Sequence, residues 1–257
     1  MITGANGGIG GAIASRLHAA GATVVLSGRQ EEALAALAGR LGDRAEVVVA
    51  DLADRHQVAA LPERCGAVDI LVANAALPAS GVLVDFEPDQ IDRALDVNLR
   101  APIMLARALA PAMAARGHGH MVFISSLAGK SGSPGGSLYS ATKFGLRGFA
   151  QGLHEDLVPS GVGVTTVFPG FIRAAGMFHR SGATLPRGVG TRTVEQVADA
   201  VMAGIERGRM EIDVAPLGLR VGSALAGLAP GFAAAVQRRL GAHDISAAIA
   251  RGQADQR

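Results

Sequence analysis

Thr3-Gly4-Ala5-Asn6-Gly7-Gly8-Ile9-Gly10 stands almost at the start of the chain, and its reading decides the fold. The pattern is G-x-x-x-G-x-G. Glycines at this spacing let a backbone approach a pyrophosphate and let the next helix pack closely on a sheet. That helix then offers unpaired N–H groups and the positive end of its dipole to the anion. Alone the pattern is weak, because 35 glycines in 257 residues make chance matches easy. A tight turn with no ligand is the bland alternative, so the surroundings have to decide.

Working outward, short apolar runs recur: Thr23–Ser27, Glu46–Ala50, Asp69–Ala73, Met121–Ser125 and Val164–Phe168. They are rich in Val and Ile at consecutive positions, as in strands of a parallel sheet buried on both faces. Helical spacing lies between them, as in Ile9, Ile13 and Leu17 and again in Leu34, Leu37 and Leu41. Glu87-Pro88 reads as a helix start with Pro at the first helical position, and Thr193 to Gln196 as a capping box. The alternation predicts one α/β domain, a doubly wound parallel sheet of Rossmann type over residues 1–257, with a helical extension at 217–257. Residues 171–192 are rich in Gly, Arg and Pro without a clear period. An unpatterned stretch of that length predicts a functional loop, here a substrate lid. The tail after Gly241 reads as polar and frayed.

The composition excludes several classes. The net charge of +2 comes with scattered arginines and 4% aromatic residues, not the clustered charge and stacking rings of a nucleic-acid groove. Cys65 is the only cysteine, and no Cys/His cluster suggests a metal. No signal peptide or uncharged span of membrane length is apparent, so the expected location is cytoplasmic. Leu217 to Val236 is apolar, but Arg220 and Pro230 interrupt it. It reads as helices packed over the substrate cleft rather than as a membrane-surface element.

Two further features carry chemistry. The apolar run after the glycine turn ends at Leu26-Ser27-Gly28-Arg29, where a dinucleotide fold reads the adenosine ribose. An acid there favours NAD. Gly28 followed by Arg29 instead favours the 2′-phosphate of NADP, with NAD as the alternative cofactor. Asp51, after the third run, is a candidate adenine contact or a plain helix-start aspartate. The only tyrosine, Tyr139, stands four residues before Lys143, one of two lysines in the chain. At that spacing both share a helix face. A cation about 5 Å away at an effective dielectric of about 20 lowers a phenol by about two pKa units, towards the range of a general acid/base. A surface Tyr–Lys pair is the bland alternative.

Together Thr3–Gly10, Ala73–Ala76, Asn98 in Asp96–Arg100, Ile124–Ser126, Tyr139–Lys143 and Pro169-Gly170 resemble, in order, the short-chain dehydrogenases/reductases, over residues 1–215. The resemblance implies an oxidoreductase interconverting a carbonyl and a secondary alcohol by hydride transfer. Tyr139 would exchange the proton and Ser126 would orient the substrate oxygen. Lys143 would hold the nicotinamide ribose and lower the phenol pKa, and Asn98 would support a water relay to Lys143. Gly4, Gly8, Ile9 and Gly10 would line the phosphates. Asp51, Leu52, Asn74 and Ala75 would follow the adenosine side, and Pro169, Gly170 and Ile172 would approach the nicotinamide. The competing reading is a non-catalytic dinucleotide sensor, against which the intact Ser126–Tyr139–Lys143 set argues.

The chain also departs from the family. Ala73-Asn74-Ala75-Ala76 replaces Asn-Asn-Ala-Gly. Ala174-Ala175 stand where a carboxamide-binding threonine is expected, and Gly7 stands where NADP enzymes often carry a base. After Met210–Pro216 a long extension replaces the ending that packs tetramers, so a dimer is the expected homo-oligomer. The partner is a small carbonyl or alcohol, and Phe171, Met177, Phe178 and Leu185 suggest an apolar one. Only Met1, Ile2 and Thr3 precede the glycine turn, so a clipped first strand, with more chain upstream, is expected.

Overall fold

The computed structural model describes residues 1–173, 176–183, 185, 189–239 and 242–253, without the side chains of 180, 237 and 242–245. Seven parallel strands form one sheet in the order β3-β2-β1-β4-β5-β6-β7. They are β1 (Ile2–Thr3), β2 (Val24–Gly28), β3 (Ala45–Val49), β4 (Ile70–Ala73), β5 (Gly119–Ile124), β6 (Val162–Pro169) and β7 (Glu211–Val214). The expected runs agree with β2 to β6 to within one or two residues at each end. They show no apolar alternation because helices cover both faces of the sheet.

On one face lie α1 (Gly8–Ala19), α2 (Glu31–Leu41) and α8 (Val194–Arg207). Ile13, Leu17, Leu34, Leu37, Val197 and Val201 bury there against Leu26, Val72, Val122 and Val167. On the other lie α3 (Arg55–Arg64), α5 (Ala101–Arg116) and α6 (Ser137–Leu157). Their Val58, Leu61, Leu105, Met113 and Leu146 meet Leu71, Met121, Phe123 and Val164. Two helix starts follow the sequence signals. In α4 (Pro88–Leu95), Glu87 and Gln90 close a capping box ahead of Pro88, and Thr193 and Gln196 close another before α8.

The first strand is two residues long yet paired on both sides, with Ile2 opposite Leu26 and Val72 and Thr3 opposite Ser27. Its neighbours continue the ladder. The Met1 carbonyl accepts from Val72 N–H at 2.9 Å, and Ala5 N–H donates to Ser27 at 3.1 Å.

Two regions differ from expectation. Residues 171–192 contain a short helix, α7 (Gly176–Arg180), and their ends are joined by a parallel bridge between Ile172 and Arg192. The extension is helical as expected, forming α9 (Leu217–Leu228) and α10 (Pro230–Arg239), but the tail expected to fray forms α11 (Ala242–Gln253). Gln253 is buried at its end, and its amide donates to the Met177 carbonyl at 3.3 Å. That polar end is tied to the backbone of α7, a long-range contact that no sequence period reveals. Among the described residues no helix is long and apolar enough to cross a membrane, and no group of His, Cys, Asp and Glu could hold a metal ion.

Candidate active site

The glycine turn lies at the carboxyl end of the sheet, where strand order reverses between β1 and β4, the usual crevice for a ligand in such sheets. A cleft of about 450 Å³ opens there, lined by Gly4, Gly8, Ile9, Gly10, Gly28, Arg29, Asp51, Leu52, Asn74 and Ala75 among others. Two glycines are obligatory. Gly4 has φ +63°, and a Cβ on it would lie 2.9 Å from Ala75 Cα. A Cβ on Gly10 would strike the Gly4 carbonyl oxygen. The first-turn N–H groups of α1 have no intrahelical acceptor, and that turn carries no acid. The residues present therefore fit a dinucleotide phosphate.

Thr3 and Asn74 hold this turn in shape. Thr3 Oγ1 accepts from the N–H groups of Asn74 and Ala75 at 3.0 and 3.1 Å. Asn74 Nδ2 donates to the Thr3 and Gly4 carbonyls at 3.0 and 3.2 Å. Asn74 thus clamps the turn as well as lining the cleft. Asp51 turns one carboxylate oxygen to Ala53 N–H at 3.0 Å. Arg29 is exposed at the mouth of the cleft. Beside it Asn6 Nδ2 donates to Gln30 Oε1 at 2.8 Å.

The second half of the site forms where β5 ends and α6 begins. Ser126 caps a 3₁₀ turn, Leu127–Gly129, its Oγ accepting from Ala128 N–H at 3.1 Å. Tyr139 and Lys143 share one face of α6, with the ammonium 5.7 Å from the centre of the phenol ring. The Tyr139 ring packs against an apolar cluster of Ala79, Phe86, Ala94 and Leu138. Lys143 is 2% exposed and donates to the Ile124 carbonyl at 3.0 Å. Ser125 Oγ donates to the Lys143 carbonyl at 3.1 Å, which fixes Ser125 as a structural residue.

The phenol corrects an expectation. Burial pushes Tyr139 up to about 12, and a hydrogen bond from Ser126 offsets only part of that. Burial likewise lowers Lys143 to about 8. Removal from water disfavours the charged form of either group, and for the phenol it is the larger influence. The lowered phenol expected from helix spacing is absent in the protein alone.

Asn98 lies in a π-helical turn, Asp96–Arg100, between α4 and α5, and is 1% exposed. Its Oδ1 accepts from Leu77 N–H at 2.7 Å and its Nδ2 donates to the Leu77 carbonyl at 3.0 Å. The side chain is therefore committed to the loop after β4, which it ties to the π-helical turn. Ile172 is buried in a core cluster with residues of α8, and its backbone bridges to Arg192. The Pro169 carbonyl faces Ser126 Oγ at 3.5 Å, so the Pro169-Gly170 turn lies beside the second half of the site. Ala174 and Ala175 lie outside the described residues. The sequence reading missed Thr3, Asn6, Gln30 and Leu77. Of these, Thr3, next to the glycine turn, and Asn6, inside it, carried a local signal.

Comparison with known proteins agrees with this geometry. Residues 1–185 match the family model for short chain dehydrogenase. The chain is 38% identical over 240 residues to Nodulation protein G of Rhizobium sp. (strain N33), covering 92% of this chain and 91% of that one. It is 38% identical over 174 residues to a 3-oxoacyl-[acyl-carrier-protein] reductase of Rickettsia conorii, covering 68% and 72%. Among solved structures, a short-chain dehydrogenase from Sphingobium yanoikuyae in complex with NADPH superposes with a TM-score of 0.78 at 34% identity, covering 90% and 93%.

Proposed function

The chain belongs to the short-chain dehydrogenase family and is an NAD(P)-dependent oxidoreductase, and on that premise we propose that Ser126, Tyr139 and Lys143 interconvert a carbonyl and a secondary alcohol. The observation that supports this most is their convergence, from the end of β5 and one face of α6, beside a glycine-lined cleft. When bound, the nicotinamide supplies or accepts the hydride. Tyr139, kept protonated by burial, gives its proton to the forming alkoxide. Ser126 donates to the same oxygen and orients it. Lys143 stands below the phenol, where its charge favours the phenolate left behind, and it holds the nicotinamide-ribose end of the cofactor. Asn98 shapes the cleft wall by pinning Leu77.

NADPH is the favoured cofactor. Arg29, at the cleft mouth after Gly28, suits a 2′-phosphate, and the structural neighbour holds NADPH. Gly4, Gly8, Ile9 and Gly10 take the phosphates, and Asp51, Leu52, Asn74 and Ala75 the adenosine side. The stretch 171–192 is read as a lid because Gly176 and Met177 already line the cleft. Nothing in this arrangement favours a non-catalytic sensor.

The test follows NADPH absorbance over a panel of aldehydes, ketones and 3-oxoacyl thioesters. The last are included because one relative is a 3-oxoacyl reductase. Tyr139→Phe should lower turnover about 10²–10⁴-fold with NADPH binding nearly unchanged. Near-normal turnover would overturn the assignment. Arg29→Ala should remove a preference for NADPH over NADH of about tenfold, about 1.4 kcal/mol. Equal affinities in the unaltered protein would remove the cofactor claim.

A further inference from the structure

Outside the catalytic set, one cluster of charges is bound to both of its segments. Tyr139, Lys143, Arg147 and Gln151 recur every four residues along one face of α6. The first two are the proposed catalytic pair. The last two hold Glu211 of β7: Arg147 Nε and Nη2 meet its two oxygens at 2.6 and 3.0 Å, and Gln151 Nε2 donates at 2.9 Å. Lys130 comes to the same carboxylate from the other side. Its Nζ lies 3.1 Å from Glu211 Oε2 and 2.6 Å from Asp213 Oδ1. Arg220 completes the cluster, 4.0 Å from the second Asp213 oxygen. Phe168, fully buried, lies between the cations, 4.0 Å from Lys130 Nζ and 5.6 Å from the Arg147 guanidinium.

Lys130 closes the 3₁₀ turn that Ser126 opens. Two backbone bonds link them: Gly129 N–H to the Ser126 carbonyl at 2.8 Å, and Lys130 N–H to the Leu127 carbonyl at 2.9 Å. A tether on Lys130 therefore acts on Ser126. Gly129, between them, is seated on the Lys143 carbonyl, where a Cβ would come within 2.7 Å. The turn and the helix touch with no slack there, and the charges grip both a little farther out. Two donors must reach one oxygen for the proposed chemistry, and sub-ångström placement of such groups governs rate.

Resting on the reading of Ser126 and Tyr139 given above, we propose that Lys130 and Arg147, joined through Glu211, are positioning residues that hold the Ser126 turn against α6 so that both hydroxyls reach one substrate oxygen. Burial would raise the Glu211 carboxyl, but the bonds from Arg147 and Lys130 more than offset it and hold it below its ordinary range. The hub thus stays anionic and keeps its grip at neutral pH.

The chain has one tyrosine and no tryptophan, so phenolate absorbance reports Tyr139 alone. Ser126 donates to that phenol, so loss of its placement is read as a smaller ionised fraction at fixed alkaline pH. Lys130→Met should lower that fraction at pH 10.5 by about threefold, about half a pKa unit. Lys130→Arg should restore it. In a Ser126→Ala background Lys130→Met should change nothing more, whereas the direct loss of a nearby charge would act in either background. If Lys130→Met does not fold, Arg147→Lys, which keeps the charge and loses the fork, takes its place with the same expectation. An unchanged ionised fraction, or a change that persists without Ser126, overturns the proposal. The readout needs no substrate, so it fails or stands independently of the Tyr139→Phe turnover test.

Discussion

The two lysines of this chain are both withdrawn from water, but they are held in opposite ways. Lys130 meets two carboxylates and the face of Phe168. Lys143, nineteen-twentieths or more buried, meets a backbone carbonyl and the edge of the site. Burial disfavours its charge and lowers it to about 8. A fully paired cation is a structural tie whose charge is already spent on its partners. An underpaired one keeps a field that a neighbouring group or a bound cofactor can use, at a cost to stability. The comparison teaches that the pairing of a buried lysine, more than its burial, separates a tether from a working group.

The sharpest way to break this contrast is turnover. Lys143→Met should lower it by at least about 10²-fold, and NADPH should bind more weakly as well. A variant that turns over normally would make Lys143 another tether. The next largest effect is in the phenol beside it. With Tyr139 at about 12, about 3% of it should be ionised at pH 10.5, against about three quarters for an ordinary phenol of pKa about 10. Absorbance near 295 nm measures this directly. A midpoint near 10 would mean that the ammonium already balances burial in the protein alone.

Much of this was legible beforehand. The glycine turn, β2 to β6 and the Ser126–Tyr139–Lys143 spacing are local patterns, and the structure brings them together at the carboxyl ends of the strands. What stayed hidden depends on what lies across space. The edge strand β7 was passed over because Glu211 and Asp213 interrupt the consecutive apolar run by which the other strands were read; Glu211 turns to Lys130 and Arg147, and Asp213 to Lys130. The phenol shift was read with the wrong sign because helix spacing gives the neighbour at four residues but not the apolar cluster over the ring. The pairing of Asn98 with the Leu77 backbone is likewise a contact across space that no local pattern shows. Lys130 itself carried a signal, since a chain that uses arginine nearly everywhere kept only two lysines.

Stability moves in opposite directions at the two sites. Lys130→Met leaves Asp213 without its 2.6 Å partner and Glu211 with one cation fewer. Breaking a fully buried pair costs about 3–5 kcal/mol. These carboxylates keep 18–19% exposure, so about 2 kcal/mol is the better expectation, or roughly 4–8 °C in Tm at about 2–4 °C per kcal/mol. Thermal unfolding at pH 7 checks this, and an unchanged Tm would show that water already shares the cluster.

The smallest effect is the most diagnostic, because it has the opposite sign. Lowering Lys143 from 10.5 to about 8 corresponds to roughly 3 kcal/mol against its charged form in the folded protein. Lys143→Met fills similar space without that charge. The Ile124 carbonyl then loses its donor, which takes back about 1–3 kcal/mol. The net expectation is a gain of about 1 kcal/mol at pH 7, a rise of roughly 2–4 °C in Tm. The sign can be followed with pH. Below about 8 the folded and unfolded chains both carry the proton, so the full penalty applies. As pH rises from about 8 towards 10.5 the folded chain releases its proton first, and wild-type stability increases relative to the variant. The advantage of Lys143→Met should therefore shrink over that window. A Lys143→Met protein that melts lower than wild type at pH 7 would mean that the ammonium stabilises the fold, and the contrast between tether and working group would be lost.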